Sequence, residues 1–366
     1  MKNKRLLSAL DDINDEFIEA AAPKSKKKTA KIYIKIGALA ACVALVVTAV
    51  AIYTQNTKLM RVSLPDIFEG GMSMEAYFAY SADEIIINNP WNEENSPKKL
   101  PVYKNTAYAP TGDDIPQTDL SQFEDVLLDY AKRLEIKADK SQIKKEETQI
   151  YIETDNIKIT LNSWLRLNAY ISGKNVLPSG YTLDCYAGFE ELSKTAEYLK
   201  EKYASYLNMK NPTADISMGD YDVYGKRSFS LSFYDADSDI GKSIENYNFN
   251  RVSFSMYEDG VLHISQSVAS REAVGNYPIN SLNKATELLE QGEYVTSVNV
   301  DFPGVQAVKK AELVYFVSAT AEYFIPYYKF YVEIEHDGTI AQDLPGIKSY
   351  GAYYVPAIDS KYIIEE

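Results

Sequence analysis

From Asp119 onward the apolar positions recur with two clear periods. In "DLSQFEDVLLDYAKRL", Leu120, Phe123, Leu127, Ala131 and Leu134 fall on one helical face, with Asp119 placed to cap it. In "ELSKTAEYLKEKYASYL", Leu192, Ala196, Leu199, Tyr203 and Tyr206 do the same, and "SLNKATELLEQG" predicts a third helix that Gly292 closes. Between the helices the period drops to two. "QIYIETDNIKITL" reads as a hairpin turning at Asp155-Asn156, followed by the strand "SWLRLNAYI". Phe229, Leu231 and Phe233 alternate, and Val252/Phe254/Met256 and Leu262/Ile264 flank a turn at Asp259-Gly260. The last strands are "YVTSVNV", "AELVYFVSA", "YYKFYVEIE" turning at Asp337-Gly338, and "YGAYYVPAI". Helices alternating with antiparallel hairpins predict an α+β fold, sheets with about three packed helices over residues 119–366, as one body or as two modules split near residue 210.

Ahead of this region the periodicity fails. Residues 55–118 contain "NNPWNEENSPKKLPVYKN" and read as an irregular stalk, or a strap laid over the domain with Trp91 and Tyr103 as its anchors. Before them stands "KIGALAACVALVVTAVAIYTQ", with no charge from Ile36 to Tyr53. As a helix this run covers roughly 27 Å, about a bilayer's hydrocarbon thickness. A lipoprotein signal ending at Cys42 is disfavoured, because most of the apolar run follows the cysteine instead of preceding it. Cleavage at Ala49-Val50-Ala51 is disfavoured by the long, patterned segment in front. We read residues 32–54 as a transmembrane helix. Lys24, Lys26, Lys27, Lys28, Lys31 and Lys35 crowd against its start, so residues 1–31 are expected in the cytoplasm and the remainder outside. Gly37, Ala41, Ala44, Thr48 and Ala51 form a seam of small residues suited to a homodimer or to another helix in the membrane. Within residues 5–21, Leu6, Leu10, Ile13 and Phe17 make one apolar stripe opposite acidic residues, a face for a cytoplasmic partner.

Charge divides along the same line. Residues 1–53 carry net +4 and the rest net −18. The basic end suits the bilayer surface, and the acidic remainder excludes a nucleic-acid partner. The chain has two cysteines, and with Cys42 inside the apolar run, Cys185 stands alone outside it, so a disulfide-stapled scaffold is excluded. The two histidines, His263 and His336, lie in a strand and beside a turn, and neither sits in a recognisable catalytic pattern. No zinc spacing, phosphate loop or dinucleotide fingerprint is present, and no cofactor is expected. "DADSDIG" places Asp235, Asp237 and Asp239 like the first ligands of a calcium loop. Ile240 and Asn246 occupy the positions of its obligatory Gly and Glu, so an acidic hairpin loop is the expectation. Thirty tyrosines invite a carbohydrate reading, although Tyr315, Tyr328 and Tyr331 sit in strand patterns where aromatic rings are at home.

The layout of "LLSALDDINDEFIEAAAPKSKKK" before an Ala-rich anchor, "LPVYKN", and the closing "AELVYFVSATAEYFIPYYKFYVEIE" and "YGAYYVPAI" resemble uncharacterised single-pass proteins of clostridial-type bacteria with an anti-sigma-factor-like layout. More distantly, they are similar to the YycH/YycI extracytoplasmic regulators of a histidine kinase. The resemblance implies a non-catalytic, membrane-anchored regulator or sensor whose partner is a sigma factor or a histidine kinase. An anchored wall-glycan binder is the main alternative, and an uncharacterised hydrolase is a further one.

Overall fold

The computed structural model describes residues 59–64, 76–85, 88–108, 118–174, 176–222, 224–268, 271–296, 298–318, 320–335 and 344–364. The segment 5–21, the apolar run 36–53 with its small-residue seam, and His336 lie outside the described residues. Among the described residues no helix is long and apolar enough to cross a membrane. Residues 59–366 pack as one unit.

In chain order, β1 (Ala76–Ala79), α1 (Ala82–Ile85) and β2 (Lys99–Asn105) come first. Next are α2 (Glu124–Arg133), β3 (Lys144–Lys145), β4 (Gln149–Glu153), β5 (Ile157–Asn162) and β6 (Arg166–Ile171). Then α3 (Phe189–Lys202) and α4 (Ala204–Leu207) lead to β7 (Pro212–Ser217) and β8 (Ser230–Asp235). They are followed by α5 (Ile240–Phe249), β9 (Val252–Met256), β10 (Leu262–Ser267) and β11 (Arg271–Pro278). Last come α6 (Leu282–Glu290), β12 (Val295–Thr296), β13 (Val308–Tyr315), β14 (Tyr323–Phe324), β15 (Pro326–Ile334) and β16 (Lys348–Pro356).

The fold is α+β with antiparallel sheets. One sheet has eight strands in the order β3-β4-β5-β6-β10-β9-β8-β7. Its strands alternate because one face meets helices and the other meets water: Ile150, Ile152, Leu167, Ala169, Leu262 and Ile264 are buried with Leu127, Ala131, Leu192, Ala196 and Leu199 of α2 and α3. The β6–β10 pairing carries this sheet across residues 208–212 without a break. A second sheet runs β1-β16-β15-β13, with β12 also on β16, and a three-stranded sheet runs β11-β2-β14. Here β15 and β16 are buried almost end to end, as expected of strands covered on both faces. Their core includes Leu100, Val102, Tyr277, Leu289, Leu313, Tyr327, Phe330 and Tyr353.

The expected helices form where predicted. Asp119 caps a 3-10 turn, Leu120–Phe123, that runs into α2, its Oδ1 accepting from Ser121 N at 3.0 Å, and Gly292, with φ +84°, ends α6. Residues 76–105 are more regular than an irregular stalk. They supply β1 and β2, and Trp91 and Tyr103 are buried in the second core. Met218 N donates to Glu84 O (2.9 Å) and Asn88 Nδ2 to Ala214 O (2.8 Å), tying Glu84 and Asn88 to β7 and its end.

One element corrects the sequence reading. "DADSDIG" is not an acidic hairpin loop, because Asp239 caps α5, its Oδ1 accepting from Gly241 N at 2.9 Å. The helix "IGKSIENYNF" carries Gly, Ser and four Asn or aromatic positions of weak intrinsic helicity, so tertiary contacts must hold it. Those contacts come from both sides. Ile244 and Phe249 join the second core, while Tyr247 meets Tyr234 of β8 edge-on at 5.4 Å. The helix α5 therefore bridges the two large sheets.

Candidate functional site

Where α5 bridges the sheets, a cavity of about 430 Å³ opens among Tyr247, Asn248, Arg251, Glu312, Lys329, Tyr331 and Tyr354. Strand register explains the convergence. Glu312 of β13 stands opposite Lys329 of β15, and Lys329 stands opposite Tyr354 of β16. Tyr331 lies two residues beyond Lys329, on the same face. From the other sheet, Asp215 of β7 pairs with Ser232 of β8, and Arg251 reaches both from the start of β9.

Two acids lie almost completely buried here, each about 1 % exposed. Asp215 Oδ2 accepts from Arg251 Nη2 at 2.6 Å, and Ser232 Oγ accepts from Arg251 Nε at 2.9 Å and Nη2 at 2.7 Å. The guanidinium also lies over the Tyr247 ring, at 4.7 Å. Glu312 Oε2 accepts from Asn89 Nδ2 at 2.7 Å. Lys329 Nζ donates to the Tyr77 hydroxyl at 2.9 Å and sits among the rings of Tyr77, Tyr331 and Tyr354 at 5.0–5.4 Å. Asp215 Oδ1 makes no hydrogen bond within the protein, whereas the Tyr331 hydroxyl is a hydrogen-bond neighbour of the Glu312 carboxyl.

Burial pushes the Glu312 carboxyl above its ordinary value of 4.5, and Lys329 and the neighbouring Tyr331 and Asn89 pull it down only in part. A carboxyl raised in this way favours the fold fully below that ordinary value, and the benefit is lost as pH rises through the folded-state value. At neutral pH the site thus works against stability. Groups held at such a cost are characteristic of functional positions.

A second, larger site lies beside the β9–β10 hairpin of the eight-stranded sheet. A cleft of about 750 Å³ is lined by the loop residues Tyr181, Asp184, Cys185, Lys226 and Tyr257 and by Ser255 of β9. Beside it, Tyr170, His263 and Tyr257 hold near-parallel rings, with centroids 4.9, 5.4 and 6.3 Å apart and planes within 13–21°. A column would separate its outer rings by both steps together, so this triangle is a terrace of offset rings. His263 is better oriented than its sequence context indicates. With Asn168 Oδ1 accepting from Nε2 at 3.0 Å, Nδ1 is left to accept from Ser255 Oγ at 3.3 Å, and burial lowers the imidazole's pKa.

The three aspartates singled out in the sequence serve the backbone. Asp235 Oδ1 accepts from Asn211 N (2.7 Å), Asp237 Oδ1 from Asp239 N (2.9 Å), and Asp239 caps α5. Among the described residues no group of three or more His, Cys, Asp or Glu is placed to hold a metal ion. Tyr315, Tyr328 and Tyr331 are buried in strands, whereas Tyr186, Tyr224 and Tyr257 are exposed.

Sequence reasoning missed Asp215, Arg251, Glu312 and Lys329 as a set. The available signal was an ionisable residue within an otherwise apolar strand, in "TADIS", "AELVYFV" and "YYKFYV". In a comparison with known proteins, no protein-family model and no curated protein matches this chain.

Proposed function

We propose that the chain is a non-catalytic, single-pass membrane sensor or regulator that takes a ligand in the pocket between its sheets and modulates an envelope signalling system. The observation that carries this reading is the charged set of buried Asp215 and Glu312 with half-buried Arg251 and Lys329, which both large sheets contribute to and α5 bridges. A ligand held there touches all three at once, so binding energy is available to shift their packing. The uncharged run 36–53, with lysines on its leading side, supports anchoring with the pocket outside the cell membrane. The stripe Leu6, Leu10, Ile13 and Phe17 is the proposed inner face for a sigma factor or histidine kinase, and the seam Gly37, Ala41, Ala44, Thr48 and Ala51 the proposed dimer contact.

A second reading, an anchored wall-glycan binder, is favoured by the Tyr170–His263–Tyr257 terrace beside the open cleft, because flat aromatic surfaces with flanking polar groups suit sugar rings. Crosslinking in intact cells followed by capture separates the two. The sensor reading expects a sigma factor or kinase with the full chain and its loss when residues 5–21 are deleted. Capture of wall fragments alone, unchanged by the deletion, would transfer the function to the terrace.

A further inference from the structure

The aromatic terrace and the larger cleft meet at one hairpin. Tyr257, between β9 and β10, is a ring of the terrace and also lines the cleft. Ser255, which bonds His263 through its hydroxyl, lines the cleft as well. Both residues are exposed, Tyr257 at 47 %, so the two surfaces are continuous around side chains that face solvent.

The terrace is an uncharged stacking surface. His263 stands directly opposite Tyr170 in the β6–β10 register, and burial lowers its pKa, so the imidazole is neutral at neutral pH. The next row on the same face is Asn168, Ser265 and Ser253, an amide and two hydroxyls with no carboxylate. The cleft adds an apolar lining. Val176, Leu177, Phe229 and Met256 are half-buried there, on the margin of the first core. Asp184, Glu258 and Lys226 stand exposed around them.

These features select among sugars. A single ring can occupy the terrace or the cleft but cannot fill both, because the cleft alone, at about 750 Å³, has the volume of a drug-sized ligand site. A chain bearing only hydroxyls would set some of them against the apolar lining without hydrogen bonds. An anionic chain would meet two carboxylates and one lysine. A neutral chain whose rings carry acetamido groups suits every part, with ring faces for the terrace, methyl groups for the apolar lining, and amide N–H and C=O groups for the polar side chains around it.

We propose that the terrace and the cleft form one extended site for an oligosaccharide of N-acetylated amino sugars, with a sugar ring on the terrace beside Tyr257 and an acetamido methyl against Phe229 and Met256. The inference rests on the glycan reading of the terrace and adds to it the length and the substituent of the chain.

The test titrates N-acetylglucosamine, its β-linked tetramer and cellotetraose into the full chain by calorimetry, in micelles of a sugar-free detergent and up to the millimolar range. Cellotetraose has hydroxyls where the N-acetylated tetramer has acetamido groups. We expect the N-acetylated tetramer to bind about tenfold or more tightly than the monosaccharide, and about fourfold or more tightly than cellotetraose, the effect of burying one methyl group. Tyr257→Ala should remove most of the gain with length while its thermal melt stays at that of wild type, because the side chain is largely outside the core. Met256→Ser should bring the two tetramers together in affinity. A tetramer no tighter than the monosaccharide overturns the joined site and leaves the terrace as a single-sugar surface. Cellotetraose binding as tightly as the N-acetylated tetramer overturns the acetamido assignment. No binding of any of the three overturns the inference and the glycan reading together.

Discussion

Replacing Arg251 with Met should destabilise the protein by about 3–5 kcal/mol, among the largest effects of any single substitution in the chain. The reason is what it leaves behind. Asp215 keeps its place on β7 at about 1 % exposure, with Oδ1 already unpartnered, and loses the only cation bonded to Oδ2 among the described residues. Ser232 Oγ loses its donors at the same time. The stacking of the guanidinium on Tyr247 goes with them. Removing the acid as well, in Asp215→Asn with Arg251→Met, should cost clearly less than the sum of the two single changes, because the stranded charge is gone. A coupling of about 1–3 kcal/mol in denaturant titrations measures this. Strict additivity, or a single-variant cost within about 0.5 kcal/mol of zero, would show that the pair is not held in the buried state described.

The second large effect concerns the bridge itself. Phe249, the last residue of α5, packs against the rings of Tyr103, Tyr315 and Phe324 at 4.8–5.6 Å, with the Arg271 guanidinium 4.3 Å above it. Phe249→Ala should cost about 3–5 kcal/mol, the usual range for an aromatic truncated in a packed core. It also removes one of the two buried α5 side chains, with Ile244, that hold the helix to the second core, so ligand response in the pocket should fall along with stability. Tyr224→Ala, at a position 87 % exposed, is the matching control and should stay within about 0.5 kcal/mol of wild type. Thermal melts of both in the same detergent decide it. A Phe249 variant that melts with the Tyr224 variant would mean that α5 does not depend on this core.

The sequence made some parts of this molecule legible and hid others for definable reasons. α2, α3 and α6 each bury one stripe against a sheet, so a 3.6 period appears in their residues, and Gly260 and Gly292 mark positions where φ is +81° and +84°. α5 is buried on two sides and built from residues of low intrinsic helicity, so neither period nor propensity announced it, although its cap Asp239 was noticed for its acidity. β1 is four residues long, too short for alternation to register, and β2 lay in a Pro- and Lys-containing stretch that masked it. The pocket was hidden more deeply. Asn89, Asp215, Arg251, Glu312 and Lys329 come from a loop and from four strands or their approaches, and only strand register brings Glu312 opposite Lys329 and Asp215 beside Ser232. Local patterns do not carry that register. The tyrosines split the same way: those at strand-interior positions are core, and Tyr257 is exposed because it sits at the tip of the β9–β10 hairpin.

Under the proposed function the described domain lies outside the membrane, with residues 32–54 as its anchor. The most direct test uses the native thiol Cys185, partly exposed in the wall of the open cleft. In a Cys42→Ser background it is the only cysteine of the chain. A membrane-impermeant maleimide added to intact cells should modify Cys185 to the same extent as after lysis. Modification only after lysis would put the pocket in the cytoplasm and contradict the extracytoplasmic sensor.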